Sequence, residues 1–473
     1  MAEHAPLEPE ELRVLIADMW RMHMDERLWF DRIYEYTKGL RGRPEVPEGA
    51  EDEVKELAKL SVMNVLSGVR DTFARNLSVV GYRRATAQEN DPAWAQWQRN
   101  RMDARQKEVV KPAVSYGASY VKVLDRGRGP VFHPRSPRAL LATYQDPSLD
   151  EWPQYTLETW IDKSNARPRR RGCLLDDGWE YPFELGEVPA FERDPHQSRP
   201  ISVVEFGDPI EHHATYGGEP VCPVVRFVND RDADDQVVGE VGPLILDQQA
   251  INSVNFDRMI VSRFGAFPQK VISGWSGTKA EILAASAKRV WSFEDPDVRA
   301  QSLPAASLDG YTALLDAMKA AVYEKAGLSP AKSGKLINLA AESLALAEKD
   351  ETEKLEDKKE SFGESYEQML RLGAEMDGDA ATAFDSGAEV VWRDTSARSF
   401  AATVDGIAKL AGAGVPIEPL LPLVPGMTQQ QIRGIGEAMQ AQRADKLREE
   451  LRSSRQLRSV RTPAVAVPDA LAG

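Results

Sequence analysis

Two adjacent histidines, His212 and His213, and three alternating aspartates, Asp230, Asp232 and Asp234, have side-chain types that could bind a metal ion. Neighbours on a strand face opposite ways, so the two imidazoles do not easily reach one ion and read as surface histidines. The aspartates begin like a calcium loop, but Asp235 stands where that loop requires glycine and Val241 where it requires a bidentate glutamate. A solvated acidic turn is the expectation. Ser273 to Lys279 holds glycines and a lysine without the GxxxxGK[ST] spacing, or the preceding apolar strand, of a phosphate loop. Neither a GxSxG turn nor an HExxH helix occurs. Cys173 and Cys222 belong to no CxxC pair, which leaves buried, reduced thiols rather than a disulfide framework or a zinc site. Among 74 acidic residues, carboxylates that are neighbours in sequence point to no particular site. No cofactor or metal is therefore expected, and catalysis has no visible foothold.

Cations offer a different chemistry. Lys332, Ser333 and Lys335 lie in a short loop before a long helical stretch, and Arg443, Lys446, Arg452 and Arg455 belong to a basic C-terminal run. Two readings stay open for both groups: solvation of exposed backbone beside residues such as Glu449 and Glu450, or weak, salt-sensitive contact with phosphates. A net charge of −15 argues against a protein that wraps duplex DNA tightly. It permits a wall along which a duplex slides, because fixed phosphate contacts would hold the duplex back.

The elements that must place these residues are mostly helices. With 473 residues, 42% hydrophobic and 28% charged, the chain reads as globular and as two to four packed units. No apolar run is long enough to cross a bilayer, and MAEHAPLEPEELR lacks the regions of a signal peptide. Apolar residues at spacings of three and four predict helices over 10–34 and 51–77, and Asp91-Pro92 marks the start of a third over 92–115. Residues 119–124, 155–160 and 201–206 read as strands, and 173–183 as a hairpin turning at Asp176-Asp177-Gly178. Residues 118–230 are thus a β-rich insert.

Helices return over 244–265 and 308–326, the second with a stripe of Tyr311, Leu314, Leu315, Met318 and Val322, and they flank a small mixed module. Residues 338–372 are helix-permissive over some 50 Å, and their middle, EKDETEKLEDKKE, has one aliphatic residue, Leu355. That predicts a strut wetted on several sides or packed only at its ends. Two shorter helices follow, over 397–411 and 429–452, the second with a capping box at Thr428 and Gln431; the last dozen residues are expected to be disordered. The fold class is α+β, mainly helical.

Several local phrases occur in an order that resembles the portal proteins of tailed phages, in particular the siphovirus-type family of actinobacteriophages. They are Ile33 to Gly39, Asn64 with Phe73, Leu77, Gly81 and Tyr82, Trp97 to Asn100 with Met102-Asp103, Tyr116 to Val121, Pro223 to Phe227, Asp247 to Asn255, and Phe267 to Gln269. The resemblance implies a ring, usually of twelve subunits, through which the genome is packaged and ejected, with hydrolysis left to a separate motor. It implies a wing over 1–243, stem helices over 244–267 and 308–327, a clip over 268–307, a tunnel loop and long wing helix over 328–395, a crown over 396–460 and a tail over 461–473. On this reading Tyr311 to Val322 pack the stem, Lys332, Ser333 and Lys335 face DNA in the tunnel loop, and Arg443, Lys446, Arg452 and Arg455 form a basic crown face. Partners would be further copies of the chain, double-stranded DNA, the terminase large subunit, the major capsid and scaffolding proteins and a head-tail adaptor, with no membrane. The place would be the capsid vertex of the virion, and the host cytoplasm during assembly. The alternative function is a metal-dependent phage nuclease or processing enzyme using carboxylates.

Overall fold

The computed structural model describes residues 5–84, 89–164, 167–187, 203–265, 270–273, 299–302, 307–334, 341–393, 400–417, 420–421, 424, 434–446 and 448, with 270–273, 299–302, 341–348 and 400–403 described by backbone alone. The chain divides into two compact units, 1–393 and 394–473. Helices and several small sheets together make an α+β protein.

Helix α1 (Pro9–Thr37) starts with proline in its first turn and a capping box in which Glu8 and Glu11 satisfy each other's backbone N–H groups. The predicted helix over 51–77 is instead two, α2 (Asp52–Leu60) and α3 (Val65–Asn76). Asn64 caps the second by accepting the Ser67 N–H at 3.3 Å, and that local bond competes with a continuous helix. Strand β1 (Val79–Arg84) comes next. The helix predicted over 92–115 is also split, into α4 (Trp94–Arg99) and α5 (Met102–Tyr116), with Arg101 between them in the left-handed region at φ 54°.

The insert then holds β2 (Ala118–Asp125), β3 (Pro130–Arg135), β4 (Leu140–Thr143), β5 (Tyr155–Asp162), β6 (Arg169–Leu175), β7 (Trp179–Glu187), the two-residue strands β8 (Glu205–Phe206), β9 (Ile210–Glu211), β10 (Thr215–Tyr216) and β11 (Glu219–Pro220), and β12 (Val224–Val228). All pairings are antiparallel: β12-β2-β3 form one sheet, and β4 to β8, with β9 beside β7, form a six-stranded one. The β6–β7 turn falls where the sequence places it, because the Asp176 carboxylate accepts the Gly178 and Trp179 N–H groups at 2.9 and 2.6 Å. Of the strand expected over 201–206, Glu205–Phe206 is strand and Val204 donates its N–H to the Glu184 carbonyl at 2.8 Å, while 201–202 lie outside the described residues.

Helix α6 (Ile245–Ile260) runs on as a π-helical turn, Val261–Gly265. Strands β13 (Lys270–Ser273) and β14 (Arg299–Ser302) pair in antiparallel register, and α7 (Asp309–Lys325) returns alongside α6. The long helix α8 (Ala341–Met376) is followed by the single turn α9 (Ala380–Ala383) and by β15 (Ala388–Trp392), which pairs with β1. In the second unit α10 spans Phe400–Gly412 and residues 434–446 are helical; Thr428 and Gln431 lie outside the described residues.

The first unit is built round α8. Phe362, Tyr366, Met369 and Leu370 are wholly enclosed, and the Tyr366 ring meets Trp97 at 5.2 Å and Phe227 at 4.7 Å, both edge-on. Packing of this end agrees with a strut packed at its ends, but the charged middle departs from that expectation, because Glu351, Leu355 and Lys358 are buried as well. In a second core the front of α1 lays Leu12, Ile16, Met19 and Trp20 on Leu157, Leu174, Tyr181 and Phe183 of the six-stranded sheet. Farther along, α1 sends Ile33 and Tyr36 into the main core, so one helix spans both.

Candidate functional site

The hairpin of α6 and α7 is held to the rest of its unit by a buried network at one end, while near the other Arg263 makes an exposed ion pair with Glu53 of α2. Asp247 and Lys325 pair at the first end at 2.8 Å. Three amides on one face of α6, Gln248, Asn252 and Asn255, satisfy the broken backbone between α2 and α3. Gln248 accepts the Val65 N–H at 2.9 Å, Asn252 accepts the Met63 N–H at 2.9 Å, and Asn255 donates to the Ser61 carbonyl at 2.7 Å. Asn252 also donates to the Gly42 carbonyl at 2.8 Å. Gly42, at φ 86°, has no room for a side chain, since a Cβ there would meet Tyr36 at 2.7 Å. These amides lie within the Asp247 to Asn255 phrase, but nothing in their types alone assigned them this task. Their helical spacing was the available signal.

The other end of the hairpin is different. From Phe256 to Gly265, and from Ser307 to Leu314, no residue is fully buried. Of the predicted stripe, Leu315 and Val322 are buried, Tyr311 and Met318 half-buried, and Leu314 is 49% exposed. Phe264, in the π-helical turn that ends α6, is 43% exposed. The stripe is thus divided between the core of the unit and open surface.

Among the loop cations, Lys332 sits in a 3-10 turn, Pro330–Ser333, and its ammonium pairs with Glu351 of α8; Ser333 ends that turn and Lys335 lies outside the described residues. Arg443 and Lys446 are exposed on the helical run 434–446, while Arg452 and Arg455 lie outside the described residues.

The charged middle of α8 does more than solvate itself. Lys354 and Lys358 each donate to Glu240 at 2.7 Å, and both ammonium groups lie over the Phe73 ring at about 5.5 Å. Burial opposes the charge on Glu240, but the two ammonium groups outweigh it and hold the carboxyl below its usual range. Burial likewise lowers Lys358, against the pull of Glu240.

Other carboxylates are also held in pairs. A cleft of about 630 Å³ between the two larger sheets is lined by Lys122, Arg126, Arg135, Glu158, Trp160 and Glu180. Glu158 takes Lys122 at 2.7 Å and Arg135, and Glu180 takes Arg126 at 2.9 Å. Burial works against the Glu158 charge, and Lys122 and Arg135 overcome it, so this group is held ionised and not poised as an acid. Among the described residues, no three His, Cys, Asp or Glu side chains come together as a metal site. The two histidines separate as expected but are not both on the surface. His212 is buried against the Asp176 carbonyl at 3.0 Å, which burial accompanies with a lowered pKa, while His213 is exposed. The aspartate run is an exposed turn in which Asp232 accepts the Asp234 and Gln236 N–H groups at 3.0 and 2.8 Å. Both cysteines are free and buried, and burial pushes the Cys173 thiol up to about 12.

Residues 80–456 match the family described as phage portal protein, SPP1 Gp6-like. The chain belongs to that portal family. It is 26% identical over 366 residues to the portal protein of Mycobacterium phage D29, covering 74% of this chain and 72% of that one. It is 25% identical over the same length to the portal protein of Mycobacterium phage L5. The portal match begins within β1, so α1 to α3, which hold the base of the hairpin, lie outside it. No described helix is long and apolar enough to cross a membrane.

Proposed function

We propose that the chain is one subunit of the portal ring at the capsid vertex of a tailed double-stranded DNA phage, closed by heterologous contacts between about twelve copies. The observation that supports this reading beyond family membership is the far end of the α6/α7 hairpin, where Phe264 and Leu314 are exposed among the described residues. A neighbouring copy covers them. In the ring, 1–243 is the wing, α6 and α7 are the stem, 268–307 the clip, 328–395 the tunnel loop and long wing helix, and 396–460 the crown. The terminase large subunit and later a head-tail adaptor dock at the clip, and the major capsid and scaffolding proteins surround the wing during assembly in the host cytoplasm.

The role is mechanical and electrostatic, with hydrolysis left to the docked motor. A net charge of −15 on every subunit repels phosphates and keeps the duplex mobile. Lys332, Ser333 and Lys335 in the tunnel loop, and Arg443, Lys446, Arg452 and Arg455 in the crown, are the candidates for transient phosphate contact. Because Glu351 already meets Lys332, that lysine contributes little while the pair is closed.

Negative-stain imaging of the purified chain tests this reading. Rings with a central hole are expected. Single bodies without a hole, together with divalent-metal-dependent DNA cleavage that is lost when one or two carboxylates are replaced, would establish the nuclease alternative instead.

A further inference from the structure

The stretch EKDETEKLEDKKE reads in sequence as a solvated helix face, yet three of its charged residues point into the unit. Glu351, Lys354 and Lys358, with Leu355 between them, fall at intervals of three and four and so share one face of α8, and Glu351 and Lys358 are 6% and 3% exposed. Two of the three form an anchor. Lys358 holds Glu240 at 2.7 Å and the Asn229 side chain at 3.0 Å, and Lys354 holds Glu240 at 2.7 Å and the Ala326 carbonyl at 2.9 Å. Ala326 is the C-cap of α7, where an ammonium is favoured by the helix dipole. Gly327 follows at φ 71°, and a Cβ there would come within 2.9 Å of Lys354 Cδ, so the glycine both turns the chain and lets the lysine pass.

The third residue reaches past the anchor. Ala326 and Leu328 are buried in the main core, but beyond Ser329 the described loop has no buried residue. Among the described residues, a single carboxylate joins Ser329–Gly334 to α8 at two points: Glu351 accepts the Ser329 N–H at 3.0 Å on one oxygen and the Lys332 ammonium on the other. We propose that Glu351 is a positioning residue, a clasp that holds the 329–334 loop closed against the long helix and keeps Lys332 neutralised there, with Lys354, Lys358 and Glu240 fixing the helix face from which it reaches. That the loop lies beside a DNA channel rests on the portal reading above; the clasp itself does not. In a channel it would keep the loop drawn back, and its opening would release one cation per subunit toward the duplex.

Hydrogen-exchange mass spectrometry of the full chain tests the clasp with two variants. Glu351→Leu removes both contacts, and amides of 329–334 should exchange about tenfold faster while those of β5 to β7 keep their wild-type rates. Glu351→Gln keeps an acceptor for the Ser329 N–H and loses the ion pair. That amide should stay protected, and labelling of Lys332 by an amine-reactive reagent should rise several-fold, a split that a merely space-filling glutamate would not produce. If exchange rises everywhere in the leucine variant, the glutamine variant decides. Wild-type exchange and labelling in the glutamine variant would overturn the clasp. Imaging the same samples separates the two claims. Rings without a loop response overturn the clasp alone, and a loop response in a chain that forms no rings upholds the clasp and overturns the ring.

Discussion

The second half of α8 and the far end of the α6/α7 hairpin are both helical and both carry large apolar side chains, but their surroundings are opposite. Phe362, Tyr366, Met369 and Leu370 have essentially no exposed surface, whereas Leu314 is 49% and Phe264 43% exposed. Single exposed apolar residues are ordinary. What sets the hairpin apart is that the described residues of its far end, 256–265 and 307–314, include none that is fully buried, while its base is held by three amides and an ion pair. The contrast separates two uses of apolar surface: one specifies the subunit, and the other stays open among the described residues, where the portal reading seats a neighbouring copy.

Substitutions can break or sharpen that contrast. The largest effect is expected for Phe362→Ala, which opens a cavity in the centre of the main core and should cost about 3–5 kcal/mol in chemical denaturation. A loss below about 1 kcal/mol would mean that α8 is not the core element described.

Next comes Glu367, on the same helix, whose oxygens accept the Val390 N–H at 3.1 Å and Arg371 at 3.0 Å. Burial pushes its carboxyl up to about 7, from an ordinary 4.5. The folded state therefore binds the proton more tightly than the unfolded state. The stability this gives is full below the ordinary value and is lost as pH rises through about 7. The wild-type chain should lose on the order of 1–3 kcal/mol across that window, and Glu367→Gln should show a flatter profile in pH-dependent denaturation. Parallel profiles would place Glu367 in a wetter site than the enclosed helix face described. The smallest effect on the subunit is expected at the hairpin tip, where Leu314→Asp should leave subunit unfolding within about 0.5 kcal/mol of wild type, measured at low concentration.

Periodicity made much of the fold legible. The helices over 10–34, 244–265 and 308–326 and the β-rich insert follow from apolar spacing, and the β6–β7 turn follows from Asp176 acting on its own backbone. The failures have specific causes. The breaks after Leu60 and Arg99 draw on partners distant in sequence: Gln248, Asn252 and Asn255 add to the local Asn64 cap at the first, and at the second the Pro130 carbonyl accepts from Asn100 at 3.0 Å. A local window contains none of these distant partners. The charged middle of α8 looked solvated because lysine and glutamate are rarely enclosed, and they are enclosed here only because Glu240 and Glu351 find partners from other elements. The site was legible chiefly through resemblance. Its phrases placed the hairpin, but residue types alone did not reveal that Leu314 would be exposed while Leu315, its neighbour, is buried.

On the portal reading, a neighbouring copy completes the far end of the hairpin. Native mass spectrometry of the wild-type chain beside a Phe264→Asp, Leu314→Asp double variant tests it most directly. The wild type should give one discrete ring mass, and the variant should give single subunits whose unfolding midpoint matches that of wild type diluted until its rings dissociate. Rings of undiminished stability in the variant, or a wild-type chain that remains single at high concentration, would contradict it.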